Sequence, residues 1–133
     1  MATPTEKVID HLGKEGFRPQ VDQDGDILFK VEGFTYFIGL SEDDPTYFRV
    51  CFPNFWEIES EEERQRALEA SGHATARCKG AKVFVVRDDT WATMEAFYLT
   101  VDEFLEMFER NLGAVQAAAS IFRQRMRGED DDE

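Results

Sequence analysis

The sequence has few of the residues that metal sites and general bases use. It contains two cysteines and two histidines in 133 residues. Cys51 and Cys78 do not have the spacing of a metal site, so we expect two free thiols, as is usual in a reducing cytoplasm. His11 and His73 stand alone on predicted helices, without a ligand at a paired spacing. The sequence therefore predicts no metal site and offers few candidates for a general base.

Long apolar runs and catalytic motifs are also missing. No apolar run approaches the roughly 18 residues that a membrane span needs. The first ten residues show no basic segment followed by a hydrophobic one, so we expect no secretory signal. There is no Gly-x-Ser-x-Gly motif, no Gly-rich phosphate loop and no Cys-His-Asn group. We therefore expect a cytoplasmic protein without catalytic residues, without a cofactor and without membrane contact.

Positive charge is scarce. The chain has 15 lysines and arginines against 28 acidic residues, which gives a net charge of −13. Five of the negative charges lie in residues 129–133, which leaves −8 on the rest. Such a surface repels phosphate backbones, so nucleic acid is not an expected partner, whereas a basic protein is. We expect residues 1–127 to form one domain and residues 128–133 to be a disordered, solvated acidic tail.

Aromatic side chains, by contrast, are abundant and cluster in one stretch. The chain has 12 Phe, 3 Tyr and 2 Trp, and about half of them lie between Phe34 and Trp56. Three β-type runs, Ile27–Val31, Phe34–Leu40 and Tyr47–Phe52, are separated by short turns, so they should form an antiparallel meander. Both faces of these strands carry bulky side chains, which is not typical of a sheet with one face in water.

The remaining pattern predicts an α+β fold. Capping boxes at residues 3–6, 60–63 and 100–103 mark three helix starts, and the third helix should run to about Arg127. Further strands are predicted at residues 18–21, 81–87 and 91–99. The order α-β-β-β-β-α-β-β-α, with strands in runs, indicates an antiparallel sheet of five to six strands. We expect the short first helix and the long third helix to pack on one sheet face.

The second predicted helix carries a stripe of small side chains. These residues recur three and four positions apart, at Ala67, Ala70, Ser71, Ala74 and Cys78. Such a stripe allows another backbone to approach closely. The approaching backbone is either this protein's own sheet or a second copy of the chain.

The aromatic surplus calls for more than a fold. If four of the rings stay uncovered on the second sheet face, the apolar patch reaches several hundred Å², and its burial is worth on the order of 10 kcal/mol before association costs. Either the second helix covers this patch, or a second copy or a segment of another protein does. The residues predicted to form the partner or dimer surface are Tyr36, Phe37, Tyr47, Phe48, Phe55, Trp56, Ala67, Ala70, Ala74, Cys78, Val83 and Val85.

The acidic clusters have a local explanation. Asp22, Asp24 and Asp26 resemble the start of a calcium loop, but Ile27 stands where glycine is needed and Gly33 where a bidentate glutamate is needed. A plain turn is the expected structure. The other acidic clusters fall at turns and at a helix start.

Several short motifs are distributed over about residues 5–126. They are Gly16-Phe17, Asp24-Gly25-Asp26-Ile27-x-Phe29, Gly33-x-x-Tyr36-x-Ile38, the Glu42-Asp43-Asp44 turn with its Tyr-Phe strand, and Ala81-Lys82-Val83. In these motifs the chain resembles the bacterial YbjN family. The resemblance implies a sensory-transduction or stress regulator, without catalytic residues, whose fold is that of type III secretion chaperones.

Those chaperones are small, acidic, cytosolic homodimers that wrap an unfolded client segment around patches on the sheet and first helix. This chain differs from them in its extra early strand and longer acidic tail. We hypothesise a non-enzymatic protein- or peptide-binding module, a chaperone or regulatory adaptor, that is dimeric through the second helix and the strand at residues 83–87. The alternatives are a small hydrolase-type enzyme with an acidic cleft and a structural subunit of a larger bacterial assembly.

Overall fold

A computed structural model describes residues 2–129, and its elements follow the predicted order. The helices are α1 (Pro4–Lys14), α2 (Glu61–Arg77), α3 (Val101–Glu106) and α4 (Phe108–Met126). The strands are β1 (Gln20–Val21), β2 (Ile27–Val31), β3 (Phe34–Leu40), β4 (Tyr47–Phe52), β5 (Ala81–Val86) and β6 (Asp89–Phe97). The α+β class is confirmed. The predicted disordered tail lies, from residue 130 onward, outside the described residues.

The helix starts lie where the capping boxes predict them. The Thr3 hydroxyl accepts the backbone N–H of Glu6, and the Glu6 carboxylate accepts the N–H of Thr3 at 2.9 Å. Ser60 and Thr100 likewise accept the backbone N–H three residues further on. These caps satisfy backbone donors that a helix leaves without an internal partner, so short local signals are enough to set each start.

The predicted third helix is broken in two at Met107. Its backbone leaves the helical region, with φ −102° and ψ 5°, and its N–H bonds to the carbonyl of Phe104 at 3.0 Å. The prediction of one continuous helix is wrong at this point. The break lets the two pieces follow different neighbours, because α3 packs against α1 while α4 crosses β4, β5 and β6. An ion pair from Lys7 to Asp102, at 3.2 Å, joins α1 to α3.

The six described strands form one antiparallel sheet in the order β1-β2-β3-β4-β6-β5. The β2–β3 turn has Glu32 at φ 52° and Gly33 at φ 86°, the positive values that a tight hairpin requires. The β5–β6 turn also starts at a positive φ, at Arg87. This second hairpin is tighter than predicted, because β6 begins at Asp89.

The helices in the described chain all pack on one face of the sheet. Residues of α1, α2, α3 and α4 share one buried cluster with alternate residues of β2, β3, β4, β5 and β6. Helix α2 contacts β5 and α4. The Thr75 hydroxyl of α2 accepts the Val83 N–H at 2.9 Å, which occupies part of the outer edge of β5. The possibility that α2 covers the second sheet face is therefore not realised, and that face carries no described helix.

Candidate functional site

The candidate site is the sheet face opposite the helices, called here the open face. Every second residue of a strand points to this face, and the strand register shows which residues of neighbouring strands lie side by side on it. Its members are Leu28, Phe37, Tyr47, Arg49, Cys51, Lys82, Phe84, Val86, Trp91, Thr93, Glu95 and Phe97. None of these side chains belongs to the main buried cluster under the helices.

Three rings of the open face support one another, and we call them the aromatic strip. Phe37 meets the Trp91 ring edge-on at 5.8 Å between centroids, and Phe84 lies 6.3 Å from Trp91. The Trp91 indole N–H donates to the Asn54 side-chain oxygen at 3.1 Å, which fixes the ring. Phe84 and Trp91 stay partly exposed, whereas Phe37 is buried beneath its neighbours. The strip is thus a preformed apolar surface, of the kind that aromatic-rich binding patches use.

A carboxylate lies beside the strip and is fully hydrogen-bonded. Glu95 accepts from the Tyr47 hydroxyl, from the Thr93 hydroxyl at 2.8 Å and from Lys82 at 3.2 Å. Burial raises the pKa of Glu95, but the three donors together outweigh burial and leave that pKa below 4.5. Burial and the Glu95 hydrogen bond raise the pKa of Tyr47 to about 12. The open face therefore carries a fixed negative charge, compensated locally, at neutral pH.

An arginine of β4 lies across Gly39 of the neighbouring strand β3. Arg49 on β4 pairs with Gly39 on β3, and a Cβ on residue 39 would stand 2.7 Å from the Arg49 Nε. The absence of a side chain at Gly39 lets the Arg49 guanidinium lie 5.3 Å from the centre of the Phe37 ring. Arg49 also lies opposite Glu95 on β6. Positive and negative charges thus alternate along the row beside the aromatic strip.

The middle of the open face and the end at Phe97 differ in exposure. Cys51 and Thr93 are buried under their neighbours, and burial raises the pKa of the Cys51 thiol to about 12, so this thiol is not a reactive one. At that end Phe97 is 75% exposed and Leu99 is 80% exposed, and the Phe97 ring lies 6.1 Å from Tyr47. Neighbouring apolar side chains this exposed are typical of a contact surface.

The six aromatic residues predicted for the surface separate into two groups. Phe37 and Tyr47 lie on the open face. Tyr36 and Phe48 point into the helix-covered core, where they are 3% exposed. The remaining two follow β4 and contact the Phe122 ring of α4, at 5.4 Å from Phe55 and 5.7 Å from Trp56. These four rings complete the core of the subunit.

The small-residue stripe of α2 is also enclosed by the subunit. Ala67, Ala70 and Ala74 are fully buried in the common core, where α2 packs on α4 and β5. The backbone that approaches this stripe belongs to the same chain, one of the two possibilities that the sequence left open. These three side chains therefore offer no surface to a second copy unless α2 moves.

The other residues predicted for the dimer contact lie where α2 meets β5. Cys78 lies with its sulfur 3.1 Å from the Ala81 carbonyl oxygen. Val83 is buried and Val85 is partly buried against the core. The predicted dimer residues thus lie in the core or against it. They do not form one surface with Phe37 and Tyr47.

Sequence reasoning missed three rings of the open face, Phe84, Trp91 and Phe97. Alternation does place Phe84 opposite Val83 and Phe97 opposite Ala96, but alternation cannot say which set faces the helices. The pairing of β6 with β4 brings these rings beside Phe37 and Tyr47. A search for aromatic residues on both strands of the second hairpin would have found them.

The acidic residues form turns. The Asp22 carboxylate accepts the backbone N–H groups of Asp24 and Asp26 at 2.9 and 3.0 Å, which confirms the plain turn. A cleft of about 750 Å³ near the start of α1 is lined by Asp24, Glu42 and Asp43, all exposed at turns. Within residues 2–129 there is no group of three His, Cys, Asp or Glu residues that could hold a metal ion. No described helix is long and apolar enough to cross a membrane.

Comparisons with known proteins give one family and one fold. The model of the family described as "T3SS (YopN, CesT) and YbjN peptide-binding chaperone 1" (TY-Chap1) matches residues 5–132. The crystal structure of an uncharacterized protein from Methanothermobacter thermautotrophicus is similar with a TM-score of 0.62 at 13% identity, over 93% of this chain and 99% of that one. At that identity the likeness concerns the fold alone. No curated protein matches the sequence.

Proposed function

Because the chain belongs to the TY-Chap1 family of T3SS and YbjN peptide-binding chaperones, we propose that it holds an extended segment of a client protein on the open face of its sheet. In this proposal the protein is a non-enzymatic binding module that acts in the cytoplasm. The family model covers nearly the whole chain, so the peptide-binding assignment applies to this domain as a unit.

One observation carries the proposal: the open face holds a supported aromatic strip that no described helix covers. Trp91 meets Phe37 edge-on, lies next to the tilted Phe84 ring, and is fixed by its hydrogen bond to Asn54. Rings fixed in this way lose little conformational entropy when a partner binds. Phe97 and Leu99 extend the apolar surface at one end.

The sheet has little free strand edge, so a client segment is expected to bind to side chains on the open face rather than to add a strand at an edge. Strand β1 is only two residues long, and the outer edge of β5 at Val83 is bonded to Thr75. Strand addition needs a continuous row of free backbone groups. Residues 29–31 lie beyond the end of β1, next to a groove of about 450 Å³, and they are the place in the described chain where strand addition is most feasible.

The client segment should carry apolar residues in alternation with polar ones. Each apolar side chain of an extended segment would meet the aromatic strip, because an extended chain presents one side every second residue. The intervening polar residues would meet Arg49, Glu95 and Lys82. The alternating signs of these charges favour a client segment whose own charges alternate in the complementary order. The net charge of −13 further favours a segment with basic flanks.

The homodimer expected from the sequence remains part of the proposal, with a different surface. Since Ala67, Ala70 and Ala74 are buried within the subunit, a second copy would use the open face, including its end at Phe97 and Leu99. Sizing by light scattering tests this directly. A monomer at high concentration would remove the dimer and leave peptide binding untouched.

The function is tested with a labelled 12-residue peptide in which Phe or Val alternates with Ser or Lys. We expect the protein to bind this peptide, and Trp91→Ser to weaken binding about tenfold or more, because aromatic anchors dominate such surfaces. The matched control is Leu68→Ser, which removes an apolar side chain 50% exposed on α2. Circular dichroism checks that both variants fold. Equal affinities of Trp91→Ser, Leu68→Ser and wild type would rule out the open face as the site.

A further inference from the structure

Arg123 of α4 lies on a second group of rings, away from the open face. Its guanidinium carbon is 5.3 Å from the centre of Phe34, 5.4 Å from Phe52 and 5.3 Å from Phe55. Phe52 stacks on Phe55 at 5.2 Å, and Phe34 meets Phe52 at 5.6 Å. We call these three rings the aromatic platform. Phe34 is 48% exposed, so the platform reaches the surface.

The Arg123 guanidinium contacts aromatic rings rather than polar groups. Within residues 2–129 it makes no hydrogen bond and no ion pair. Other arginines of the helices are paired: Arg125 binds Glu69 at 2.7 Å, and Arg64 binds Asp88. The contrast is informative in a chain with 28 acidic residues, since a carboxylate partner is easy to supply.

The surroundings of Arg123 favour an incoming anion. Burial lowers the pKa of its guanidinium, nearby Tyr36 opposes that effect, and Arg127 adds to it. A half-buried cation without a carboxylate therefore has an incompletely satisfied charge. The N–H groups of a guanidinium lie along its edges, so a guanidinium that contacts rings can still donate two parallel hydrogen bonds to a carboxylate.

We propose that Arg123 on the aromatic platform is a carboxylate-binding site. It is independent of the peptide site proposed above, because the platform rings belong to the helix-covered side of the sheet and the loop after β4. The site would take the side-chain carboxylate of an aspartate or glutamate. Neighbouring Arg127 is exposed and adds positive charge without a ring beneath it.

The carboxylate has two possible sources, the acidic end of this chain and an acidic segment of another protein. The Glu129 N–H bonds to the Gln124 carbonyl at 2.8 Å, so the acidic residues begin within about two helical turns of Arg123. Four further acidic residues follow in the sequence. An internal segment competes at an effective concentration in the millimolar range.

The test uses the full chain and a full-length variant whose end is uncharged (Glu129→Gln, Asp130→Asn, Asp131→Asn, Asp132→Asn and Glu133→Gln). The probes are the peptide Gly-Glu-Asp-Asp-Asp-Glu, which has the sequence of residues 128–133, and its amide counterpart Gly-Gln-Asn-Asn-Asn-Gln. Binding is followed through the side-chain Nε–H signals of the arginines in ¹⁵N NMR spectra. We expect the acidic peptide, and not the amide one, to shift the Arg123 signal of the uncharged-end variant.

Substitutions in that variant separate a two-bond site from simple charge attraction. Arg123→Lys keeps the charge but loses the planar fork, and it should weaken acidic-peptide binding about tenfold. Arg127→Lys, the matched control, should change binding by less than about twofold. Circular dichroism confirms that each variant folds.

Each result has one meaning. If the wild-type chain binds the acidic peptide more weakly than the uncharged-end variant, and its Arg123 signal without peptide already lies at the peptide-bound position, the site exists and residues 129–133 occupy it. If the two chains bind equally, the site exists and serves a partner's carboxylate. If the acidic peptide does not shift the Arg123 signal of the uncharged-end variant, or if Arg123→Lys and Arg127→Lys have equal effects, the proposal is wrong.

Discussion

The helix-covered face and the open face belong to the same strands but hold their rings in different ways. On the covered face Phe29, Phe104 and Phe108 are fully enclosed, and the first two each contact the Phe108 ring edge-on. On the open face the Phe84 and Trp91 rings lie 6.3 Å apart between centroids, tilted to one another, and remain partly exposed. The covered face encloses its rings, whereas the open face leaves Phe84, Trp91 and Phe97 accessible and buries only Phe37 among the rings of its aromatic strip.

The charges follow the same division. The covered side of the strands is built from aliphatic and aromatic residues, while the open face interleaves Arg49, Lys82 and Glu95 with its rings. Paired charges keep an exposed apolar surface soluble and restrict the partners that fit it. The comparison teaches that one face stabilises the fold and the other is available for binding, and the following predictions test this division.

The largest effect is expected from a charge placed under α2. Ala74→Glu would bury a carboxylate between α2 and its neighbours without a partner, so we expect loss of the folded state. Ala76→Glu, two residues away and exposed, is the matched control and should change the free energy of unfolding by less than about 0.5 kcal/mol. Urea unfolding followed by circular dichroism measures both. A folded, monomeric Ala74→Glu protein from a dimeric wild type would make the stripe the dimer contact instead.

The next effect compares one ring from each face. Phe29→Ala should lower the free energy of unfolding by about 3–5 kcal/mol, because it leaves a cavity in the core. Phe84→Ala should cost at most about 1.5 kcal/mol, because that ring already contacts water. The same urea titration measures the two values. Similar losses for both variants would mean that the open face is as structural as the covered one.

A smaller effect is expected from the carboxylate of the open face. The folded-state pKa of Glu95 is lowered below its ordinary value of 4.5, so its contribution to stability is present above that pH and is lost as the pH falls through the folded pKa. Glu95→Gln should therefore lower the free energy of unfolding by about 1 kcal/mol at pH 7. The difference from wild type should shrink as the pH falls below 4.5.

The control for this pH dependence is Glu57→Gln, a change at an exposed glutamate. Its free energy of unfolding at pH 7 should differ from that of the wild type by less than about 0.5 kcal/mol, because an exposed charge contributes little. Chemical unfolding at several pH values gives both curves. A Glu95→Gln curve parallel to the wild type would show that the hydrogen bonds to Glu95 contribute no net stability.

The smallest effect is expected at Gly39. Gly39→Ala would push the Arg49 side chain away from the Phe37 ring, because the new Cβ would stand 2.7 Å from Nε. The Arg49 side chain is flexible, so we expect a loss of less than about 1 kcal/mol in the free energy of unfolding. The Arg49 Nε–H signal in NMR spectra should move clearly. An unchanged signal would mean that Arg49 does not lie over Gly39 in solution.

Sequence patterns predicted the elements well because the signals are local. The capping boxes at Thr3, Ser60 and Thr100 set the helix starts, and the alternation in β3 and β4 assigned their two faces. The α+β class and the element order followed from these signals. The break at Met107 was not predictable in this way, because no glycine or proline marks it and it depends on where α1 and the sheet lie.

The site was only half predictable. Phe37 and Tyr47 were recognised, whereas Phe84, Trp91 and Phe97 join them through the pairing of β4 with β6 across the whole of α2. Pairing between strands so distant in sequence leaves no local signal. The same limit applies to the small-residue stripe of α2. The stripe packs inside one subunit, but its sequence pattern is equally compatible with a contact between two subunits.

The most direct test of the division between the faces is amide chemical-shift mapping with the alternating 12-residue peptide. We predict that the peptide shifts backbone signals of the open-face strand segments around Phe37, Phe84 and Trp91, and leaves the signals of α2 and α4 unchanged. Shifts confined to the helices, with the signals of β3, β5 and β6 unmoved, would contradict the account.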